Sequence, residues 1–569
     1  EKGKIWMTPL HPLNVAFQLS LEQELEDERL DKSIIDRLHP MNLLPFIYSE
    51  TGKLYKPTLE FDYPEWHTFD EEKNVSVGTA NEFLATVVEE KMNQYVHHFD
   101  YLFLESSQSP LRLNVIQIHN DKEVVRGIWQ FLKNQLDQKG PKGMLPIEVT
   151  LYRSQDTQSA FEMLSLLQTP AEVKDYFHVE LDSKEFDSVD VLRFIREKIN
   201  YFKIDITEGI EFQYSHISFY KIPTQDMNAS HSMDKMESGI SLNGLLSSVV
   251  AVSSENDYRT GFGLLNAPEI ASPLVSLATS YNELAFNMQN QGMNSYSKNK
   301  SIVKSTSTEG KSLLEKLYKA SSWVTFIDPG VDLDFFQRSS SNLLVIHYND
   351  QHTTSDRYDA ITVTDKSGEY KKVIEDYFKH NDFPISESHI DSAIKAFNSI
   401  NGEWLLRIIG SKGHFAREKI SIVSAMKYLE SFIDHSNIKW LPISLEEILR
   451  VASAVKLNKS EGIFSAKNLK SSGKHSDDIL MMGIEEVNEQ LFLHFYPVEV
   501  KIGGLQNTKA SDQIEKTSEL FRTHLIDESD KATFKKKFFR NFFAQILLAN
   551  ARKLYANGLW TEAEYQNLH

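Results

Sequence analysis

The sequence predicts a multidomain α/β protein, and two observations support this fold class. The chain has 569 residues, of which 41% are hydrophobic and 25% are charged. At roughly 100–200 residues per domain, this length predicts three or four domains. Short apolar segments alternate with amphipathic helical patterns over much of the chain, and this alternation is typical of α/β domains with a parallel or mixed sheet.

The alternation is clearest between residues 111 and 152. LRLNVIQI (111–118) and PIEVTLY (146–152) are short apolar segments and are predicted to be strands. The segment KEVVRGIWQFLKNQL between them has the apolar spacing of an amphipathic helix. Together they predict a βαβ unit and therefore a mixed or parallel sheet.

Four regions follow from the patterning along the chain. Residues 1–100 are predicted to be mainly helical, and residues 101–320 to form an α/β domain. Its segment 223–310 is predicted to be loop-rich because Ser, Asn, Gly, Met and Gln are frequent there. Residues 321–437 continue the α/β pattern and end in helices, and residues 438–569 form a further α/β unit. The strand candidates of the third region are SSWVTFIDPG (321–330), LLVIHYND (343–350) and AITVTD (360–365).

The chain contains no cysteine, which excludes disulfides, thiolate zinc sites and cysteine nucleophiles. This composition fits the reducing cytoplasm, where we expect the protein. No apolar stretch reaches the roughly 18 residues of a transmembrane helix, so no membrane association is expected. The N-terminus, EKGKIWMTPLHPL, has neither an initiator Met nor a signal sequence, and we expect the chain to be part of a longer protein.

The formal net charge of −19 is unevenly distributed. Residues 441–569 contain 17 Lys or Arg and 17 Asp or Glu, so the excess negative charge lies entirely in the first 440 residues. The acidic part is unsuited to coating nucleic acid, whereas the C-terminal quarter is least repelled by a phosphate backbone.

Two basic segments of the C-terminal quarter are candidates for DNA binding. The segment KNLKSSGKH (467–475) is predicted to be a loop whose lysines contact DNA. A plain solvated loop is equally consistent with its sequence. The segment FKKKFFRNFFAQILLANARK (534–553) mixes bases with aromatic residues, but its apolar helical spacing favours a core helix with a basic N-terminal end. The candidate DNA-binding residues are Lys467, Lys470, Lys474, Lys535, Lys536 and Lys537.

A predicted β-hairpin concentrates charge at one strand end. DDILMMGI (477–484) and LFLHFYPVEV (491–500) are apolar segments separated by a short polar stretch, which predicts an antiparallel hairpin. Side chains alternate along a strand, so Glu499 and Lys501 share one face, and Val498 and Val500 face the core. Asp478 begins the first strand, and the hairpin is expected to bring it next to Glu499.

Two adjacent carboxylates and a lysine predict a metal site. The carboxylates of Asp478 and Glu499 repel each other, and Mg²⁺ or Mn²⁺ would relieve that repulsion. A lysine beside the metal can orient or deprotonate a water molecule. Asp478 is preferred as the first carboxylate of this site because it directly precedes the apolar segment. Asp477 is the alternative. The plainer alternative is a surface salt bridge between Glu499 and Lys501, worth ~0–1 kcal/mol.

Asp478 followed by Glu499-Val500-Lys501 on a hairpin resembles the signature of the PD-(D/E)XK nucleases. The resemblance implies a restriction-endonuclease-like α/β domain over residues 438–569 and metal-dependent hydrolysis of phosphodiesters. It also implies that Asp478, Glu499 and the main-chain carbonyl of Val500 hold Mg²⁺ and that Lys501 positions the attacking water. Ser476 precedes the Asp pair where the family pattern has proline, which is commonly missing in the family.

The same resemblance implies helices on both sides of the hairpin. The segment SLEEILRVASAV (444–455) offers Glu446 and Glu447 as the acid often found on the preceding helix. Ser444 and Glu447 also form an S-x-x-E capping box, so Glu447 could equally cap the helix. The segment SDQIEKTSELF offers Gln513 on the following helix.

Five segments, one of which contains Glu499-Val500-Lys501, resemble the large DNA phosphorothioation-dependent restriction proteins of bacterial defence. They are MTPLHPLNVAF (7–17), SSWVTFIDPGVDLDFF (321–336), LLVIHYNDQ (343–351), YDAITVTDKSGEY (358–370) and YPVEVKIGG (496–504). The resemblance implies a longer protein with a HerA/FtsK-like ATPase motor, partner restriction subunits, oligomerisation through that motor, and attack on DNA that lacks the phosphorothioate mark.

No ATP site is expected in the present chain. Gly310-Lys311-Ser312 resembles the end of a phosphate-binding loop, but Ser305 stands where the first glycine is required. The expected activity is Mg²⁺-dependent hydrolysis of DNA. The alternatives are a catalytically silent nuclease fold that binds DNA and docks partners, and a segment that only regulates a motor.

Overall fold

The computed structural model describes the helices and strands of the chain in the following residues. They are 4–25, 54–58, 67–71, 82–103, 109–118, 121–154, 157–206, 210–222, 249–253, 257–262, 300–307, 311–327, 343–348, 360–380, 384–400, 414–433, 437–454, 479–501, 507–526 and 533–568, with short pieces at 29–30, 34, 47–48, 224–225, 230–232, 237–238, 335–336, 404–405 and parts of 276–298. Within these residues, no helix combines the length and the hydropathy needed to cross a membrane.

The N-terminal region contains a small antiparallel sheet beside its helices. Its elements are β1 (Lys4–Met7), α1 (Pro12–Leu25), β2 (Ile47–Tyr48), β3 (Leu54–Thr58), β4 (His67–Glu71) and α2 (Glu82–His98). The strands pair in the order β1-β4-β3-β2. The sequence predicted mainly helix here and did not reveal these strands, because strands of two to five residues are too short to show a clear alternation.

The predicted βαβ unit is confirmed. The chain continues through β5 (Leu111–Ile116), α3 (Asp121–Lys139), β6 (Ile147–Tyr152), α4 (Ala160–Leu166), α5 (Pro170–Phe177), α6 (Ser188–Glu197), β7 (Ile199–Ile204) and β8 (Ser215–Tyr220). Strands β5 and β6 are parallel neighbours, with Leu111 opposite Ile147. Helix α3 buries its apolar stripe, including Ile128, Trp129 and Leu132, against the sheet.

A second antiparallel sheet lies within the segment predicted to be loop-rich. Its strands are β9 (Thr224–Gln225), β10 (Ser230–Ser232), β11 (Glu237–Ser238), β12 (Val249–Ser253), β13 (Asp257–Phe262) and β14 (Lys300–Ser307). They pair in the order β10-β14-β13-β12-β11, and β9 also pairs with β14. Serine, threonine and lysine dominate β14, so no hydrophobic alternation marks it in the sequence.

The three strand candidates of the third region are confirmed, and they complete a seven-stranded mixed sheet. Here α7 (Lys311–Ala320) leads into β15 (Ser321–Ile327), β16 (Leu344–Tyr348) and β17 (Ala360–Thr364). The sheet order is β16-β17-β15-β8-β5-β6-β7. Strands β15, β8, β5, β6 and β7 are parallel, whereas β16 and β17 are antiparallel additions at one edge. Three helices follow as predicted: α8 (Ser367–His380), α9 (Glu387–Ile400) and α10 (His414–Phe432).

The C-terminal region is built on a three-stranded antiparallel sheet with the order β18-β19-β20. Its elements are β18 (Ile438–Ser444), α11 (Leu445–Ala454), β19 (Ile479–Val487), β20 (Gln490–Val498), α12 (Asn507–Leu525), α13 (Phe534–Ala556) and α14 (Glu562–Gln566). The predicted hairpin is therefore confirmed. Asn488 and Glu489 form its two-residue turn with φ of 52° and 65°, the left-handed pair that a type I′ turn requires.

This sheet is packed on both faces. Ile479 and Met481 of β19 face a first core, which also contains Trp404 and Ile420. Leu480 and Met482 face a second core, in which α13 supplies Phe538, Phe539, Phe542, Phe543, Ile546 and Leu547. The segment 534–553 is therefore a core helix with a basic N-terminal end, as the apolar spacing indicated.

Gly483 allows the sheet to pack closely against a tryptophan. A Cβ atom at Gly483 would lie 2.8 Å from the ring of Trp440 and 2.8 Å from Cγ2 of Ile438. We expect Gly483→Ala to lower the free energy of unfolding by ~1–3 kcal/mol, because the indole must move. Urea denaturation measures this change. Gly368→Ala is the control, since a Cβ there meets nothing within 4 Å; equal effects of the two substitutions would contradict the packing argument.

Candidate functional site

The ends of three strands meet where the sequence predicts the site. Ile479, the residue after Asp478, pairs with Val498, the residue before Glu499. On its other side Ile479 pairs with Ser444, the last residue of β18, and α11 begins at the next residue. Asp478 and the alternative Asp477 lie outside the described residues. The nearest described observation is the pairing of Ile479 with Val498.

Glu499 carries a buried carboxylate. Its side chain is 3% exposed, whereas that of Lys501 is 41% exposed. The Lys501 ammonium donates a hydrogen bond to Oε1 of Glu499. The second oxygen, Oε2, is buried and accepts no hydrogen bond from the residues that the structure describes. The salt bridge between Glu499 and Lys501 that the sequence offered as the plainer alternative is therefore present, with its lysine partly exposed and its carboxylate buried.

The predicted alternation of side chains is confirmed around Glu499. Val498 and Val500 both pack against the first core, so Glu499 and Lys501, the intervening and following residues, point to the opposite face. That face is covered by α12, since the ring of Phe495 stacks on Phe521 at a centroid distance of 5.4 Å. By this alternation the Glu499 carboxylate is expected on the α12 side of the sheet rather than in the first core.

Gln513 on α12 supplies a second buried oxygen. Its Oε1 is buried and accepts no hydrogen bond within the described part of the chain. Gln513 precedes Phe521 by eight residues, about 12 Å along the helix, and Glu499 follows Phe495 by four residues, about 13 Å along the strand. Phe495 and Phe521 are in contact, and these similar spacings would bring Gln513 to the Glu499 end of the sheet in an arrangement where α12 runs antiparallel to β20.

The donor set fits a hard divalent cation. A carboxylate oxygen and an amide oxygen are buried without donors from the described residues, and burying such groups without a partner is costly. Oxygen ligands of this kind suit Mg²⁺, which takes one or two carboxylates together with waters and phosphate oxygens. The described residues, which do not include Asp478, contain no group of three His, Cys, Asp or Glu side chains arranged for a metal.

Glu446 belongs to a buried charge cluster that the sequence did not reveal. Its Oε2 accepts a hydrogen bond of 2.9 Å from Nε1 of Trp404 and lies 3.8 Å from Nζ of Lys419. Lys419 is fully buried, and its ammonium lies 4.6 Å from the centre of the Trp404 ring. Glu446 is therefore engaged in holding α10 to α11. Glu447 lies on α11, and its side chain is outside the described part.

The predicted basic cluster lies at the start of α13. Lys535, Lys536 and Lys537 follow the N-cap Thr533, whose side chain accepts from the Lys536 amide. Burial lowers the pKa of the His524 imidazole, and the ammonium groups of Lys535 and Lys536 lower it further. The positive end of the helix dipole adds to these charges. The other predicted lysines, Lys467, Lys470 and Lys474, lie outside the described residues.

The end of the antiparallel hairpin therefore places the buried carboxylate of Glu499 beside the partly exposed ammonium of Lys501. Comparison of the chain with protein-family models, curated proteins and solved structures found no match. The sequence did not reveal Trp404 and Lys419, because a single Trp and a single Lys separated by 15 positions in the chain form no motif.

The buried Lys419 gives a test of this arrangement. We expect Lys419→Met to lower the free energy of unfolding by ~3–5 kcal/mol, because it removes a fully buried ammonium from beside the Glu446 carboxylate. Guanidinium denaturation measures the loss. Lys427→Met is the matched control on the same helix, since its pair with Glu430 is 2.7 Å long but 51% exposed at the lysine and should contribute ~0–1 kcal/mol. A loss as small as the control's would contradict the buried pair.

Proposed function

We propose that the hairpin end is the active site of a Mg²⁺- or Mn²⁺-dependent DNA nuclease of the PD-(D/E)XK kind. The observation that carries the proposal is the Glu499 carboxylate, which is buried, paired with Lys501 through one oxygen and left without a described donor on the other. A carboxylate in this state is suited to a metal ligand. A purely structural ion pair would be expected to have both oxygens satisfied.

Each residue of the site has a distinct role in this proposal. Asp478, Glu499 and the carbonyl oxygen of Val500 would hold the metal, and Gln513 would orient a ligand beside it. The ion, when bound, supplies charge stabilisation and lowers the pKa of a bound water. The Lys501 ammonium, anchored by Glu499 and 41% exposed, orients the attacking water and offsets negative charge on the phosphate. The side chain of Val500 fixes the strand by packing in the first core.

The biological setting that we propose is DNA restriction in bacterial defence against phage, with the protein in the cytoplasm. It rests on the five segments that resemble the phosphorothioation-dependent restriction proteins. In that setting the chain would hydrolyse DNA without the modification, coupled to a HerA/FtsK-like ATPase in the intact protein. The acidic first 440 residues would contact other restriction subunits rather than DNA.

A second candidate function is a silent nuclease fold that binds DNA and docks partner proteins. The ion pair between Lys501 and Glu499 favours it, because an ammonium can satisfy the carboxylate in place of a metal. In this case the lysines at the start of α13 would bind DNA, and the hairpin end would perform no chemistry.

Substitution of the site separates the two candidates. We expect Asp478→Asn, Glu499→Gln and Lys501→Met each to reduce Mg²⁺-dependent cleavage of plasmid DNA by about 100-fold or more, because each removes charge that stabilises the transition state. Agarose gels report cleavage, and EDTA should abolish it.

Metal binding provides a readout that is independent of cleavage. Mn²⁺ titration followed by electron paramagnetic resonance should show a site in the wild type that Glu499→Gln weakens. Glu519→Gln is the control, since Glu519 is 67% exposed on the same helix as Gln513. Unchanged cleavage in the site variants would refute the site, whereas DNA binding without cleavage or metal binding would favour the silent fold.

The basic cluster predicts a change in salt dependence. Replacing Lys535, Lys536 and Lys537 by glutamine should reduce the slope of log K against log salt for duplex DNA by up to about 3, because each lost phosphate contact removes ~0.9. Fluorescence anisotropy at several salt concentrations measures the slope. The same replacement at the exposed Lys174, Lys184 and Lys319 is the control, and an equal slope in both variants would rule out a specific role for the cluster.

A further inference from the structure

Strand β20 forms an open edge of the C-terminal sheet. In the order β18-β19-β20 it is the last strand, and within the described residues it pairs with β19 alone. Several of its large side chains are exposed: Leu491 is 70% exposed, Phe492 45% and Tyr496 57%. An exposed apolar edge of this kind is a template for pairing with another strand.

The sequence of β20 carries little of the protection that edge strands usually have. Its nine residues, QLFLHFYPV, include no Lys, Arg, Asp or Glu. The opposite edge of the same sheet, β18, contains both Lys439 and Pro442, and charge and proline are common features that prevent unwanted strand pairing. On β20 the single such feature is Pro497, the second-last residue. This pattern favours a strand that is covered by another strand.

The hairpin turn determines which main-chain groups of β20 face outward. In a two-residue hairpin the flanking residues, here Val487 and Gln490, exchange hydrogen bonds, and bonded residues then alternate along each strand. The even-numbered residues from 490 to 498 therefore bond to β19, and the odd-numbered residues present their N–H and C=O groups to the outside. Pro497 belongs to the outward set and has no N–H group to donate.

The packing beneath this edge is only partly closed in a single copy of the chain. Leu493 and Phe495 pack against the second core but are only partly buried there. On the other face of the sheet the His494 side chain is 31% exposed, with its ring 5.8 Å from that of Trp440. An added strand would therefore bury side chains on both faces of the sheet at once.

A second copy of β20 is complementary to this edge. Two identical strands that pair antiparallel about a two-fold axis keep matching faces together. The longest such ladder that leaves Pro497 outside covers residues 490–496 and is centred on Leu493, which then lies opposite itself. In this register the exposed Leu491 lies opposite the partly buried Phe495 of the second copy. On the other face the exposed Phe492 lies opposite the partly buried imidazole of residue 494, and neither copy of β20 brings a Lys, Arg, Asp or Glu into the ladder.

We propose that two copies of the chain associate through β20 and form one continuous antiparallel sheet with its two-fold axis at Leu493. The interface lies in the present chain and is separate from the motor domain through which the resemblance implies oligomerisation. It goes beyond the proposed nuclease function and does not depend on it. Glu499 lies six residues from the axis, roughly 20 Å along the strand. The two hairpin ends would therefore lie on opposite sides of the axis.

The absence of cysteine from the chain makes this register directly testable. In the proposed ladder Gln490 lies opposite Tyr496 of the second copy, with Cα atoms about 4.5 Å apart, which is close enough for a disulfide. Both residues are exposed, so cysteine at either position should leave the fold intact. A mixture of Gln490→Cys and Tyr496→Cys chains should form a disulfide-linked dimer under mild oxidation, seen on a non-reducing gel. Each variant alone should form little, because like positions lie roughly 20 Å apart.

Light scattering over a series of protein concentrations tests the association itself. The wild type should approach twice the mass of one chain as the concentration rises. Leu491→Lys should weaken association by about tenfold or more, because both copies lose an apolar cross-strand contact and gain a charge at the interface. Leu166→Lys is the matched control, since Leu166 is 60% exposed at the end of α4 in the central region. Its association should equal that of the wild type.

The mass of a single chain at every concentration would overturn the proposal. So would a dimer that Leu491→Lys leaves intact, since the contact would then lie elsewhere. Failure of the mixed cysteine variants to cross-link, under conditions in which the wild type associates, would overturn it as well. Neither measurement involves DNA or a metal ion, so failure of the proposed nuclease function and failure of this interface are separate outcomes.

Discussion

The pairing register of β19 with β20 is the constraint on which the C-terminal region depends. Ile479 lies opposite Val498, and alternate residues of β19 enter two different cores. A slip of one residue would exchange the two faces, sending Met481 into the aromatic packing of α13 and Leu480 toward Trp404. The same slip taken up by β20 instead would turn Glu499 toward the first core. The position of the candidate acid is therefore fixed by hydrophobic packing on both sides of the strand.

Two buried or partly buried carboxylates of the C-terminal region, those of Glu446 and Glu499, have different sets of partners. Oε2 of Glu446 has two partners, because Trp404 donates a hydrogen bond to it and Lys419 lies 3.8 Å away. Glu499 is only half satisfied among the described residues, since Lys501 reaches one oxygen and leaves the other buried. A saturated buried pair holds elements together, whereas an unsatisfied buried oxygen marks a position that can accept a ligand.

The sequence was most informative where apolar residues follow a regular period. The βαβ unit, the three strands after residue 320 and the hairpin with Glu499 and Lys501 on one face were all predictable for this reason. Strand β14 and the strands near the N-terminus were not predictable, because short polar strands depend on their partners rather than on their own pattern. The cluster of Trp404, Lys419 and Glu446 depends on tertiary packing, and the fold alone brings these residues together.

The shared cores have a consequence for the folding autonomy of residues 438–569. Met7, Phe17 and Leu21 of the N-terminal region belong to the same core as α13, and Ile479 and Met481 share a core with residues of the central sheet. The C-terminal sheet thus acts as a partition between two bodies of apolar residues that other regions supply. The stability of this sheet is therefore coupled to that of both cores. Local opening near the hairpin would destabilise regions that are hundreds of positions apart in the chain.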